Sequence, residues 1–247
     1  MKLTVVGCSG SMPGPSAPAS AYLLEHDGFR LLIDCGSGAS GVLQNYLKIG
    51  DLDAIIISHL HADHCLDLVP LSTGRRYHPN APFATLPVYG PDGLQQRVCN
   101  AFDRWPADSL DEVFSFGLIA AGAYEIGPFR VDTARMAHPV ETYGMRFTAG
   151  ERSITYSSDT GPCEALVELA QDTDLLLCEA TNVDGEEAPG LHLTARQAGD
   201  HAGRARARRL ILTHLPPWAD PMRALSQASG GYSGTIECAK PGQVVQF

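Results

Sequence analysis

Short apolar runs separated by Gly, Pro and Ser set the rhythm of this chain. Residues 3–6, 20–24 and 30–34 read as strands, and residues 41–48 as a short helix. Residues 54–58 form a nearly continuous apolar stretch, the pattern of a buried strand. Further on, 124–131, 144–147 and 153–157 read as strands, and 162–170 as a helix with Pro162 in its first turn. A buried strand over 174–178, a helix over 195–206 and a strand over 210–213 follow, with a last strand over 243–246. Strands and helices interleave throughout, which predicts an α/β architecture of two sheets with helices on their outer faces. The runs alone do not order the strands. No repeat or linker-like tract interrupts 1–247, so a single domain is expected. The loop carrying Pro13, Pro15 and Pro18 reads as a rigid surface turn.

Composition narrows the function classes. Hydrophobic residues make up 44% and charged residues 19%, enough apolar material for a core. No apolar run approaches the ~20 residues that span a bilayer, and the apolar N-terminal run is too short for a signal peptide. These features place the protein in the cytoplasm, with no membrane partner. Seven cysteines with no CxxC pair agree, since they fit neither a disulfide framework nor a cysteine-rich structural zinc site. The formal charge of −10 disfavours stable binding of long nucleic acids. It leaves room for a small anionic substrate where bound cations reset the local field.

The candidate chemistry centres on His59-Leu60-His61-Ala62-Asp63-His64, directly after the apolar strand. In extended chain, residues two apart share a face, so His59 and His61 can reach one ion together. Asp63 and His64 lie further along the turning chain, within reach of a neighbouring ion. An all-imidazole and carboxylate donor set suits zinc, with manganese and iron also compatible, and its lack of Cys fits an open catalytic site. His138, Asp159 and His214 each end a strand-like run, and His192 precedes a helix. Strand ends on one rim can converge on one point. His26, His78 and His201 read as surface or internally satisfied residues.

With these residues in view, the chain resembles the metallo-β-lactamase superfamily, and within it the RNase Z-like branch. The supporting marks are Ile33-Asp34-Cys35-Gly36, Ser157-Ser158-Asp159-Thr160, Cys178-Glu179-Ala180-Thr181, His192-Leu193-Thr194 and Leu212-Thr213-His214. Ser9-Gly10-Ser11, His64-Cys65-Leu66-Asp67-Leu68 and Arg75-Arg76-Tyr77-His78-Pro79 are similar to an actinobacterial group of atypical cyclic-nucleotide phosphodiesterases. The resemblance implies an αββα sandwich with two divalent metal ions at one edge. It assigns His59, His61 and His138 to the first ion, Asp63, His64 and His214 to the second, and Asp159 to both. Two positions depart from the pattern: Ser158 where the family usually has Gly, and Cys178 where RNase Z usually has His. The resemblance also allows a homodimer.

The activity implied is hydrolysis of a small cyclic-nucleotide phosphodiester by a hydroxide bridging two metals. Asp63 is expected to orient that hydroxide as well as to ligate. His192 is expected to protonate the leaving oxygen, fixed by a capping box in Thr194-Ala195-Arg196-Gln197, with Glu179 holding its imidazole. Arg75 and Arg76 are offered either as substrate contacts or as a solvated loop pair. The basic run Arg204, Arg206, Arg208 and Arg209 reads as the solvated C-terminal face of a helix. The alternatives are an RNase Z-type endonuclease trimming tRNA 3′ ends, a thioester or lactam hydrolase of the same fold, and a non-enzymatic metal-binding regulatory relative. Against the RNase Z reading stands the short 139–158 segment, where many RNase Z members carry a tRNA-gripping arm.

Overall fold

The computed structural model describes residues 1–102, 110–182 and 190–247. Its element order is β1 (Lys2–Gly7), β2 (Ala21–His26), β3 (Phe29–Ile33), α1 (Ala39–Leu43), β4 (Ala54–Ile56), α2 (Ala62–Cys65), α3 (Leu68–Tyr77), β5 (Leu86–Gly90), α4 (Leu94–Ala101) and β6 (Phe114–Leu118). The second half adds β7 (Gly122–Ile126), β8 (Phe129–Arg135), β9 (Tyr143–Ala149), β10 (Arg152–Tyr156), α5 (Glu164–Leu169), β11 (Leu175–Glu179), α6 (Ala195–Arg204), β12 (Arg209–Thr213), α7 (Pro221–Ala228), β13 (Thr235–Cys238) and β14 (Val244–Gln246).

Two seven-stranded sheets result among the described residues. One runs β14-β1-β2-β3-β4-β5-β6, the other β13-β12-β11-β10-β9-β8-β7. The core between them takes Leu3, Val5, Tyr22, Leu24, Leu31 and Ile33 from the first sheet, and Val131, Phe147, Ile154, Leu177 and Ile211 from the second. The opposite face of the first sheet buries Leu23, Leu32, Ile55 and Val88 against Leu43, Leu68, Leu71 and Val98 of its helices. The second sheet does the same, with Leu176, Leu210 and Leu212 under Leu166, Ala198, Ala202 and Ala224. Both faces of each sheet are covered, so its central strands read as unbroken apolar runs. This is the expected αββα sandwich.

Three expectations shift. The stretch read as one strand over 124–131 is a hairpin, because Gly127 turns at a φ of 57° and lets β7 fold back on β8. The first helix lies earlier than expected, at Ala39–Leu43. The proline loop is not all surface, because Pro18 is buried. The elements between 66 and 118 carried no clear period. α3 illustrates why: Pro70 and Gly74 lie inside it, and Pro is tolerated there only because it falls in the first turn.

Strand direction sets the site. β3, β4, β5 and β6 are parallel, as are β10, β11, β12 and β13. Their C-terminal ends therefore open two aligned rims, where irregular chain carries polar side chains out of the sheets.

Candidate metal centre

The first rim carries the histidine-rich turn. His59 leaves the end of β4 and is fully buried, and His61 caps α2 from an extended conformation. Their facing nitrogens, His59 Nε2 and His61 Nδ1, stand 3.1 Å apart. His138, on the loop after β8, brings its Nε2 to 3.3 Å from the same His61 Nδ1. Asp159, after β10, places Oδ2 3.5 Å from His59 Nε2. These four residues form one compact donor group.

A second group adjoins it. His214 follows β12, and its Nε2 lies 3.0 Å from Asp63 Oδ2 and 3.2 Å from His64 Nε2. The other oxygen of Asp159, Oδ1, lies 3.3 Å from His64 Nε2 and 3.5 Å from His214 Nε2. One carboxylate thus faces both groups, an oxygen to each.

The fit to metal ions can be tested on these distances. In a tetrahedral site with bonds of ~2.0–2.1 Å, neighbouring donor atoms stand roughly 3.3–3.4 Å apart. The observed spacings of 3.0–3.5 Å match that edge length. Asp159 Oδ1 is buried and has no hydrogen-bond partner, which is costly for a carboxylate oxygen unless a cation meets it. Charge agrees. Burial opposes ionisation of Asp159 and Asp63, yet the surrounding imidazoles hold both carboxyls well below the usual range. Burial pushes His59, His61 and His138 down toward the neutral, ligating form.

Outer contacts fix which nitrogen four of the rings present. His64 Nδ1 donates to Asp34 Oδ2 at 2.8 Å, His138 Nδ1 to the Leu191 carbonyl at 2.9 Å and His214 Nδ1 to Thr181 Oγ1 at 2.8 Å. His59 Nδ1 reaches Ser58 Oγ at 3.1 Å. In each case Nε2 is left to face the cleft. Asp34 binds more than His64: its oxygens also accept from the Ser58 amide, the Ser58 hydroxyl and the Tyr156 hydroxyl at 2.7–2.9 Å. Sequence reasoning marked Asp34 and Thr181 only as parts of motifs and gave neither a role. Their partners lie 30 and 33 residues away, so spacing carried no signal.

His192 and Glu179 are in contact. His192 Nδ1 donates to Glu179 Oε1 at 2.8 Å, and the buried glutamate also accepts from the Thr160 amide and the Thr181 hydroxyl. Burial works against charge on His192, but the Glu179 carboxylate prevails and raises its pKa. The ring stacks on His214, with centroids 5.6 Å apart, so it borders the second donor group. The Thr194–Gln197 capping box forms in full and anchors the start of α6.

Arg75 is not a solvated loop residue. It lies on α3, is only 3% exposed, and donates to the carbonyls of Ile49 and Ala84 at 2.8 and 2.6 Å. Those carbonyls precede β4 and β5, so the guanidinium ties the N-terminal ends of the strands, the rim opposite the histidines. Arg76 borders the same cavity as Arg75, with Phe83 and Glu112, and faces Glu112 at 3.9 Å. The later basic run is not simply solvated either: Arg204, Arg206, Arg208 and Arg209 pair with Glu164, Asp172, Asp174 and Glu237. His201 is internally satisfied, through the Gln197 carbonyl and the Cys163 amide. No described helix is long and apolar enough to cross a membrane.

Comparison with known proteins agrees with this geometry. A family model described as the beta-lactamase superfamily domain matches residues 29–215. An uncharacterized protein of Mycobacterium leprae is 39% identical, with the match covering 98% of this chain and 87% of the relative. The probable metallo-hydrolase YhfI of Bacillus subtilis is 31% identical over 99% of both chains. Its crystal structure superposes with a TM-score of 0.88, covering 99% of this chain and 98% of that one at 30% identity. Ribonuclease Z of Myxococcus xanthus is 29% identical, and the match covers 100% of this chain and 98% of the ribonuclease. The chain belongs to the beta-lactamase superfamily, as a metallo-hydrolase related to YhfI and ribonuclease Z.

Proposed function

We propose that the protein is a phosphodiesterase that opens small cyclic nucleotides, using two divalent cations. The observation that carries this reading is the pair of adjoining donor groups that share Asp159, with His192 and Glu179 beside them. In this reading His59, His61 and His138 hold one ion, Asp63, His64 and His214 the other, and Asp159 both. The donor set is that of zinc, with manganese and iron compatible. The two cations supply positive charge against the phosphoryl oxygens and make hydroxide available at neutral pH.

The chain's own residues do the rest. Asp63 Oδ2 accepts from the Ser11 amide at 3.0 Å as well as meeting His214, so its carboxylate is fixed from two sides and can orient the attacking water. His192 is held through Nδ1 by Glu179, which leaves Nε2 to carry a proton. The Glu179 carboxylate raises the pKa of His192, which favours the protonated ring. Proton delivery matters most where the leaving group is an unactivated alkoxide, as in a ribose 3′-ester.

Three features favour a small diester over precursor tRNA. The 139–158 segment holds a tight hairpin, β9 turning into β10 at Gly150, with no room in its sequence for a gripping arm. The match to the Myxococcus ribonuclease runs to 307 positions against this chain's 247 residues, so the ribonuclease carries inserted segments. The net charge of −10 works in the same direction. The test is a paired assay of zinc- or manganese-loaded protein on 3′,5′-cyclic AMP and on precursor tRNA. Cyclic AMP turnover without tRNA cleavage is expected. Efficient tRNA cleavage with no cyclic-nucleotide turnover would reverse the reading.

A further inference from the structure

Large exposed apolar side chains are few among the described residues, and three of them lie within four residues, along the chain, of residues that form or hold the metal centre. Met12 is 51% exposed and adjoins Ser11, whose amide binds Asp63 Oδ2. Leu191 adjoins His192, and its carbonyl holds His138. Trp218 is 73% exposed and lies four residues beyond His214.

The segments bearing Met12 and Trp218 are joined. Ser9 bridges Leu215, the Gly10 amide donates to the Leu215 carbonyl at 3.0 Å, and a Cβ on Gly14 would stand 3.2 Å from Pro217. The backbone here is closely built, since a Cβ on Gly10 would meet the His214 carbonyl at 2.2 Å. Met12 and Trp218 therefore belong to two joined segments, one anchored by the Ser11 amide on Asp63 and the other by His214, both of the second donor group.

An indole left in water beside a phosphate-binding centre has a specific use. The cations and His192 engage the phosphoryl group and its leaving oxygen, and neither can distinguish a nucleotide from any other diester. A ring system attached to the ribose would project past the phosphate, and the exposed side chains that the two joined segments offer to it are an indole and a thioether. Aromatic stacking tolerates every base, and loss of a stacking partner costs roughly 1–3 kcal/mol, or about 5- to 150-fold in affinity. From this we infer that Trp218, backed by Met12, is the nucleobase platform of the site and makes the enzyme selective for nucleotide diesters over base-free ones. The inference rests on the phosphodiesterase reading.

The test separates the two ideas by measuring binding apart from turnover. Calorimetry on metal-loaded protein would compare adenosine 5′-monophosphate with ribose 5-phosphate. Wild type is expected to bind the nucleotide at least fivefold more tightly. Trp218→Ala should abolish that ratio while leaving ribose 5-phosphate affinity within twofold, and Trp218→Phe should restore much of it. In kinetics, Trp218→Ala should raise KM for cyclic AMP about tenfold and change kcat little. Tyr77→Ala, an exposed aromatic at the far end of α3, serves as the neutral control. Equal affinity of wild type for the two ligands would overturn the platform and leave diester hydrolysis untouched. So would equal weakening of both ligands in Trp218→Ala. Sedimentation supplies the remaining outcome: if Trp218→Ala splits a dimer and leaves the nucleotide preference intact, the joined segments are a subunit contact and the inference fails.

Discussion

Asp34→Asn should convert a two-metal protein into one that readily fills a single site. Asp34 is fully buried and accepts four hydrogen bonds, one of them from His64 Nδ1 at 2.8 Å. Asparagine matches its shape but can offer only one acceptor oxygen. If that oxygen keeps the Ser58 amide, the new amide nitrogen faces the Ser58 hydroxyl, the Tyr156 hydroxyl and His64 Nδ1. The hydroxyls can rotate to accept. His64 can accept only by moving its proton from Nδ1 to Nε2, the atom that faces His214 and Asp159. A protonated Nε2 cannot bind a cation. Loss of such an orienting contact typically costs 10- to 100-fold in metal affinity, about 1.4–2.7 kcal/mol. The Asp63–His64–His214 group should show this loss, and the His59–His61–His138 group should not. Folding should weaken by roughly 1.5–3 kcal/mol for the charged bond removed, a fall in Tm of the order of 5 °C. Equilibrium dialysis at graded free zinc, with elemental analysis of the protein, reads both sites at once. Wild type should reach two equivalents. The variant should reach one at the same free zinc and gain the second only at 10- to 100-fold more. Two equivalents at wild-type affinity, or equal weakening of both sites, would refute the tautomer argument.

Asp159→Ala should strip both ions, since each oxygen of that carboxylate faces one donor group; two equivalents retained on elemental analysis would reject the shared role. His192→Ala should leave metal content unchanged and slow cyclic AMP hydrolysis by roughly 10²–10⁴. A nitrophenyl diester, whose leaving group needs no proton, should suffer far less, and an equal loss on both substrates would remove His192 from the proton path. Arg75→Met should leave KM unchanged and lower stability by about 2–4 kcal/mol, because two carbonyls under α3 lose their donor. A raised KM without a change in denaturation midpoint would return Arg75 to the substrate.

What could be read from the sequence was what lies close together along it. His59 to His64 occupy six residues behind a buried strand, so their convergence follows from strand geometry and one turn. The Thr194–Gln197 box is four residues long and formed as read. Contacts between the sheets left no such trace. Tyr156 and Asp34 are 122 residues apart and touch only because β10 and β3 face each other across the core. Arg75 shows the opposite case: it is near the motif along the chain, but the intervening helix carries it away at about 1.5 Å per residue, to where it holds the carbonyls of Ile49 and Ala84. Gly127 split an apparently continuous strand because alternation looks the same on both sides of a tight turn.

The backbone around the site is strained at three non-glycine residues. Asp34, Ser158 and His214 all adopt left-handed φ values, of 57°, 54° and 57°, and each sits just past a strand. A non-glycine residue there costs roughly 1–3 kcal/mol. Glycine would avoid that cost, and Ser158 occupies a position where the resemblance expects it. Its hydroxyl lies 3.4 Å from His59 Nδ1, near the Ser58 hydroxyl that already meets the same nitrogen, so the side chain adds a second polar neighbour to a buried ligand. Asp34 and His214 have no such freedom, since their side chains are the reason for the turn. Each left-handed residue breaks the extended geometry just past its strand. A strand continued in regular geometry would alternate its residues between the core and the outer helices instead. The strain at these three residues is therefore tied to convergence: it brings side chains from both sheets to one set of facing donor atoms, and the hydrogen bonds of Asp34 and Thr181 hold the arrangement against relaxation.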